Sequence, residues 1–492
     1  MLRRPGLRTS AARLGLSALA ALVAAGACSP RRAIVPDVPP ETTLFVQGPL
    51  STVNHIVHLY WFGSDPDGEV AYFELRFKNP ALPADTQWVR TTQTDSVFSV
   101  FTPTGFTAPK FEVRAVDDHG LTDPTPATND FSFSNQPPTV HFALVPNAND
   151  TTYATATLSW QATDPDGDPG RMQFLVYLDS LGSRPVDPVA LPNTHLVSGS
   201  GFTVPTADFR VGGALQSGYR VVFLQPIDDG GRVGNVDSSR FFVRSPGTGG
   251  LTHDARLLIV DDVPTTNPAN PSTDSLFANA AVRAGLAPAS VSLLRLQSTQ
   301  PFQSAKDLEQ TFKLFDAVIW YRGTQTNFSV TLLNHQDGIG PYLESGGKFF
   351  LEGLDLFSGP FSTGPIREDF VSRYLDSRLL QNLGSGGDST TTWGIAAPRV
   401  VRTPEPSLDL KFAASYTGLR AFLPADSSEV ELWARAGTLA PPNPIDVAVG
   451  LNVPQTGGGR AIVVTFPLRG ANAAFTVPAY LDRVFQELGL GP

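Results

Sequence analysis

A block of about 100 residues occurs twice in the first half of this chain, and that repeat constrains its architecture more than any other feature. Pro39-Pro40 returns as Pro137-Pro138. Trp61-Phe-Gly-Ser-Asp65-Pro-Asp67-Gly68 returns as Trp160-Gln-Ala-Thr-Asp164-Pro-Asp166-Gly167. Val116-Asp117-Asp118 returns as Ile227-Asp228-Asp229, and Phe131-Ser-Phe133 as Phe241-Phe-Val243. The offset grows from 98 to about 110, so the second copy carries a longer internal loop, assigned to Leu181–Gly201. Solenoid units are shorter than this, so the repeat predicts two tandem domains. Within each copy apolar residues alternate with polar ones. Phe73, Leu75 and Phe77 bracket Glu74 and Arg76, while Phe111, Val113 and Ala115 bracket Glu112 and Arg114. That period of two reads as half-buried strands of a β-sandwich.

These modules, over residues 37–135 and 136–246, resemble fibronectin type III and related immunoglobulin-like domains. The resemblance rests on the early Trp61 or Trp160 and on the late strand that runs into Asp-Asp. It implies spacers and interaction surfaces. Their Asp-Pro-Asp-Gly motifs read as tight turns, with Pro presetting φ and Gly closing the turn. The alternative is calcium, whose hard-oxygen ligands Asp65, Asp67, Asp164 and Asp166 could supply. Asp117-Asp118 would contribute if the loops converge. On the turn reading the chain has no cofactor.

From Asp254 the texture changes. Continuous apolar runs at 256–262, 315–321, 348–352 and 461–466 read as buried parallel strands. Between them lie helical stretches: Ser272 to Gly285 with Ser272 as N-cap, one opened by Ser304, Ile339 to Ser345, and Ala474 to Leu488. Residues 400–449 read as extra β structure. The whole predicts two all-β sandwiches followed by a doubly wound α/β domain over 254–492. LLIVDD, FDAVIWYRG, YLESGGKFFLEGLDL and AIVVTFPL, in that order, resemble class I glutamine amidotransferase-like proteins, a flavodoxin-like fold. That family's nucleophilic Cys would follow the strand 348–352, where this chain reads Glu352-Gly353-Leu354-Asp355. No Cys is present there and no His follows His335, so the resemblance implies the fold without the thiol–imidazole chemistry.

In open α/β sheets ligands bind beyond the carboxyl ends of the strands. Asp261, Asp262, Arg322, Glu352, Asp355 and Arg469 fall there and make a candidate ligand rim for a sugar or peptide. Two carboxylates among them could also serve a hydrolase, an alternative reading. Gly457-Gly-Gly459 precedes a strand and reads as a turn. No phosphate-binding loop, zinc-protease motif or nucleophile elbow occurs.

The amino terminus gives the location. Arg3, Arg4, Arg8 and Arg13 precede an apolar stretch of 14 residues, Leu14–Ala27, shorter than the roughly 20 needed to span a bilayer. Ala25-Gly26-Ala27-Cys28 resembles the bacterial lipobox, which implies a signal peptide over 1–27, acylation of Cys28 and a tether over 28–36. Cys28 is the single cysteine of 492 residues, which rules out an internal disulfide. Ser29 in place of Asp after it implies the outer membrane or cell surface. Removing the leader deepens the net charge from −10 to −14, because it carries four Arg and no acid. An acidic body with no basic cluster excludes nucleic acid as a partner. The expected partners are the membrane, through acyl chains worth about 0.8 kcal/mol per buried methylene, and an envelope protein or glycan. The functional expectation is a non-enzymatic binding or scaffolding protein, with the hydrolase and a calcium-stiffened adhesin stalk as alternatives. Metabolic labelling with a fatty-acid analogue should mark the wild type and not Cys28→Ala; equal labelling of both contradicts the anchor.

Overall fold

A computed structural model describes residues 36–46, 55–84, 87–179, 193–246, 256–263, 270–296, 302–323, 329–354, 356–359, 362–379, 393–395, 400–401, 403–411, 416–419, 421–435, 446–470 and 476–491. The leader, Cys28 and Asp355 lie outside these residues. Among the described residues no helix is long and apolar enough to cross a membrane. The chain divides into two compact units. Residues 56–99 and 107–133, with the preceding strand, form one; residues 134–491, with His55 and 100–106, form the other.

The first unit is a sandwich. Strands β1 (Glu41–Val46), β2 (Ile56–Ser64) and β5 (Asp95–Ser99) pair in the order β1-β2-β5. They face a sheet of β3 (Val70–Lys78), β4 (Val89–Thr91), β6 (Lys110–Asp117) and β7 (Ala127–Asp130), ordered β4-β3-β6-β7. The predicted alternation has its cause in the core: Phe111, Val113 and Ala115 are fully buried, and Trp61 packs among Phe73, Phe98 and Phe111. Trp61 Nε1 donates to Gln93 O at 2.8 Å, so its polar end is satisfied where its rings are dry. Glu112, on the polar side of the same strand, is also buried. Arg76 and Lys78 pair with it, and Arg76 lies over the Trp88 ring at 4.0 Å.

The second unit opens with the same sandwich. β8 (Thr139–Leu144), β10 (Ala156–Thr163) and β13 (Gly201–Val204) form one sheet in the order β8-β10-β13. β9 (Thr151–Thr152), β11 (Gln173–Leu178), β12 (Thr194–Ser198), β14 (Gly218–Ile227) and β15 (Asp237–Val243) form the other, ordered β9-β15-β14-β11-β12. Strand-for-strand equivalence with the first sandwich is what the repeat predicts.

The α/β domain follows: β16 (Leu257–Asp261), α1 (Asn270–Arg283), β17 (Val291–Arg295), α2 (Ala305–Phe312), β18 (Ala317–Tyr321), α3 (Val330–His335), α4 (Ile339–Glu344), β19 (Lys348–Glu352), α5 (Glu368–Tyr374), β20 (Ser377–Leu379), β21 (Phe422–Pro424), β22 (Val430–Arg435), β23 (Asp446–Pro454), β24 (Arg460–Val464) and α6 (Thr476–Glu487). Five strands pair in parallel in the order β17-β16-β18-β19-β24, and β23 then joins β24 antiparallel. Alternate strand residues face opposite layers. Ile259, Ile319 and Phe350 pack with α1 and α6, whereas Val260, Trp320 and Leu351 pack with α2, α3 and α4.

Helix α1 begins at Asn270, two residues before the expected cap Ser272. Pro271 explains this, since its missing N–H costs nothing in a first turn. Gly285 ends it at φ +80°, where Leu286 N reaches back to Ala281 O at 3.0 Å. Ser304 caps α2 as expected, accepting from Asp307 N at 3.1 Å. Strand β17 and helix α3 carried no clear signal and were not anticipated. The Gly457–Gly459 turn closes through Gln455 N to Gly459 O at 2.8 Å.

One apolar cluster runs from the second sandwich into the α/β domain, with Tyr153 edge-on to Phe315 at 5.7 Å. Its polar centre is Asp307, 1% exposed. The carboxylate accepts from Thr155 Oγ1 at 3.1 Å, Thr157 Oγ1 at 2.9 Å and Gln303 N at 3.0 Å. Burial still pushes its pKa up, against those hydrogen bonds. It therefore caps α2 and ties the sandwich to it in one group. Asp307→Ala should cost about 3 kcal/mol, the loss of several charge-assisted bonds plus a stranded pair of threonines. Calorimetry should show both layers melting earlier together; a change below about 0.5 kcal/mol, in the range of ordinary surface substitutions, contradicts the assignment.

Candidate functional site

The carboxyl ends of the parallel strands hold most of the predicted rim, and the period of two divides it. Asp261 and Asp262 are adjacent and so point to opposite layers. Asp261 Oδ1 accepts from Val263 N at 3.0 Å, and Arg295 Nε lies 3.6 Å from Oδ2. Arg295 also donates to Asp274 at 2.6 Å, and the Tyr321 hydroxyl donates to Asp274 as well. Burial, then the Asp274 and Asp261 carboxylates, push that phenol far above its ordinary range. Tyr321 stacks on Phe277 of α1 at 5.2 Å. The result is a closed network on the α1 side.

Asp262 lies on the other side. Trp320 Nε1 donates to it at 3.2 Å, and Arg322 Nε sits 3.2 Å away. Arg322 is only 2% exposed, so this pair is internal. Burial raises the Asp262 pKa; Arg322, Ser329 and Trp320 oppose that rise without cancelling it. A buried pair of this kind fixes a conformation more than it adds stability.

Glu352 stands apart from both. It ends β19 on the α1–α6 side and is fully buried. Burial pushes its pKa to about 8, offset only by the backbone N–H of Leu468; neither oxygen makes a hydrogen bond of good geometry. Burial and the Glu431 carboxylate push the Tyr480 phenol of α6 well up, and Glu352, when ionised, adds to that rise. Arg469 is exposed on the turn Leu468–Gly470, and Asp355 lies outside the described residues. The six-residue rim is therefore corrected. Its described members resolve into Asp261, held by its own chain and the half-exposed Arg295, the internal pair Asp262–Arg322 on the opposite face, one isolated buried acid and one surface Arg. Period-two alternation within 256–262 already carried the signal that separates Asp261 from Asp262.

The Asp-Pro-Asp-Gly loops follow β2 and β10. In each, the second Asp N–H turns onto the first Asp Oδ1 at 3.2 Å, which is the turn the sequence implies. Asp67 accepts from Val38 N, and Asp166 from Gln136 N. Burial raises Asp164 to about 6, the Asp166 backbone opposes it, and the Asp228 and Asp166 charges add to the rise. In the first unit ligand atoms of Asp37, Asp117 and His119 lie within 4.8 Å of one another. The part played by Asp37 and Asn135 was missed, although both stand two residues before a Pro-Pro pair in the repeat.

No protein-family model matches the sequence, and no curated protein matches it. Among solved structures, the fibronectin(III)-like modules of Clostridium thermocellum CbhA are 14% identical, over 41% of this chain and 94% of theirs, at a TM-score of 0.18. The PKD1 domain of Vibrio anguillarum Epp is 16% identical, over 20% of this chain and 96% of its own, at a TM-score of 0.15. A ThuA-like protein from Bacteroides uniformis is 10% identical, over 50% of this chain and 95% of its own, at a TM-score of 0.29.

Glu352 sets a pH dependence. Folded, it holds its proton up to about pH 8; unfolded, it releases it near 4.5. The folded state binds the extra proton in that window, so stability falls as pH rises through it, by roughly 3 kcal/mol between pH 4.5 and 7. Denaturant titrations of Glu352→Gln should lose that slope and gain stability at pH 8. An unchanged slope contradicts the burial argument.

Proposed function

We propose that this chain is a lipid-anchored binding or scaffolding protein of the bacterial cell envelope. Two β modules lie in the chain between the Cys28 anchor and an amidotransferase-like α/β domain without catalytic function. The strand order of the parallel sheet, 2-1-3-4-5 in chain numbering, supports a flavodoxin-like reading of that domain, as do helices packed on both faces. The single cysteine at 28 supports the absence of a thiol nucleophile. Placement at the outer membrane or cell surface rests on the lipobox and Ser29.

One observation carries the non-enzymatic reading. Among the described residues the strand-end acids face different layers: Asp261 is held by its own backbone and the half-exposed Arg295, Asp262 by the buried Arg322 on the opposite face, and Glu352 is sealed from solvent. A carboxylate-dependent hydrolase of the glycosidase type needs two carboxyls about 5–10 Å apart across an open site. Each module instead offers sheet edges and loops as contact surface, and the acidic body favours an uncharged or basic envelope protein or glycan.

The purified protein should bind saturably to isolated envelope fractions and turn over neither glutamine, peptidoglycan nor simple glycosides. Turnover of any of these that disappears in Glu352→Gln overturns the reading.

A further inference from the structure

The two modules repeat a polar constellation as well as a set of strands. The residue two positions before each Pro-Pro pair is Asp37 in the first and Asn135 in the second. The next residue ties the linker to the loop. Val38 N donates to Asp67 at 3.3 Å, and Gln136 N to Asp166 Oδ2 at 2.9 Å. The acid beyond the long strand uses one oxygen for the backbone. Asp117 Oδ1 accepts from Leu121 N at 2.8 Å, and Asp228 Oδ1 from Arg232 N at 2.7 Å.

The other oxygen is left over each time. Asp65 Oδ2 and Asp117 Oδ2 in the first module, and Asp164 Oδ2 and Asp228 Oδ2 in the second, are buried with no hydrogen-bond donor. The second module adds Asp166 Oδ1 and Asn135 Oδ1. Asp166, Asp228 and Asn135 are 8%, 5% and 3% exposed. Asn135 is the independent witness, because an uncharged amide does not belong to an acidic cluster by composition. Its Nδ2 donates to Asp228 Oδ1 at 3.2 Å, which fixes the orientation of the amide and leaves the carbonyl oxygen unmatched.

Asp164 and Asn135 approach the same His55 ring, and the Asp228 and Asp166 charges reach Asp164. A Cβ on Gly167 would lie 2.1 Å from Asp164 Oδ2 and 3.1 Å from the His55 ring. A Cβ on Gly230 would lie 2.4 Å from Asn135 Nδ2 and 2.9 Å from the same ring. The two loops thus close over one centre floored by His55, and glycine is what lets them approach. The nearby donors serve Asp229: His55 Nε2 meets it at 2.6 Å and Arg171 lies 3.9 Å away. Asp164, Asp166, Asp228 and Asn135 each keep a buried oxygen with no hydrogen-bond donor, an arrangement that is costly without a counter-charge.

We infer that each β module binds one calcium ion through these oxygens, Asn135, Asp164, Asp166 and Asp228 in the second, and Asp65 and Asp117 with Asp37 in the first. Calcium takes six to eight hard oxygen ligands in irregular geometry, so the protein supplies part of the shell and leaves room for water or backbone carbonyls. An oxygen-dominated set suits calcium better than zinc, which prefers several nitrogen or sulfur ligands, and magnesium demands a stricter octahedron. The second site is the more buried and binds more tightly; Asp37 and Asp67 are exposed, and the first site is weaker.

Isothermal titration of the full-length protein, stripped with chelator, tests this. Calcium should fill two sites, with a rise of several degrees in the unfolding midpoint. Asp228→Asn and, separately, the half-exposed Asp164→Asn should remove the tighter site, Asp117→Asn the weaker, and Asp130→Asn neither. Circular dichroism of each variant in calcium-free buffer separates lost binding from lost folding. No saturable binding by the folded wild type up to about 10 mM, ten times the weak end of the extracellular range, overturns the proposal. So does retention of both sites in folded Asp228→Asn and Asp164→Asn. Magnesium binding as tight as calcium overturns the choice of ion.

Discussion

A carboxylate that leaves water must be neutralised, and this fold buries several; how each is neutralised organises the rest of the structure. Asp307 gathers threonine hydroxyls and backbone N–H groups, and in doing so locks the second sandwich to helix α2. Asp262 takes Arg322, and Asp261 takes its own chain and Arg295. Glu352 keeps its proton. The loops of the β modules leave several buried carboxylate oxygens with no donor for them. The same physical demand thus yields a joint, two struts, a neutral acid and a pair of proposed cation sites.

That division bears on function. An α/β sheet with parallel strands concentrates its chemistry at the strand ends, and a catalytic version would hold its acids open and convergent there. Among the described strand ends, Asp262 and Arg322 are spent on one another and Glu352 is shut away. The open, unsatisfied chemistry lies in the β modules, between the amino-terminal segment and the α/β domain in chain order. A spacer whose loops are tied to its linkers through a metal is stiffer than one tied by a turn alone, which suits the proposed scaffolding role.

Much of this was legible in the residues. The repeat gave both sandwiches, because strand spacing and turn chemistry survive where identity does not. Gly285 and Ser304 marked helix ends by local backbone needs that no distant contact overrides. Ser272 failed as a cap because Pro271 suits a first turn and draws the helix start forward. The rim was misread as one site because strand ends were treated as points; alternation sends Asp261 and Asp262 apart. Strand β17, a five-residue edge strand, has too little pattern to stand out. Convergence of Asn135 with Asp164 and Asp228 lay beyond sequence, since it depends on how a linker, a turn and a strand end fold back around His55.

Hydrogen exchange of the full chain, with and without calcium, tests the account most directly. It predicts added protection at 36–38, 65–68 and 117–121 and at 135–136, 164–168 and 228–232, with the strand ends at 261–263 and 352–354 unchanged. Calcium-dependent protection at those strand ends instead, or at neither place, would contradict it.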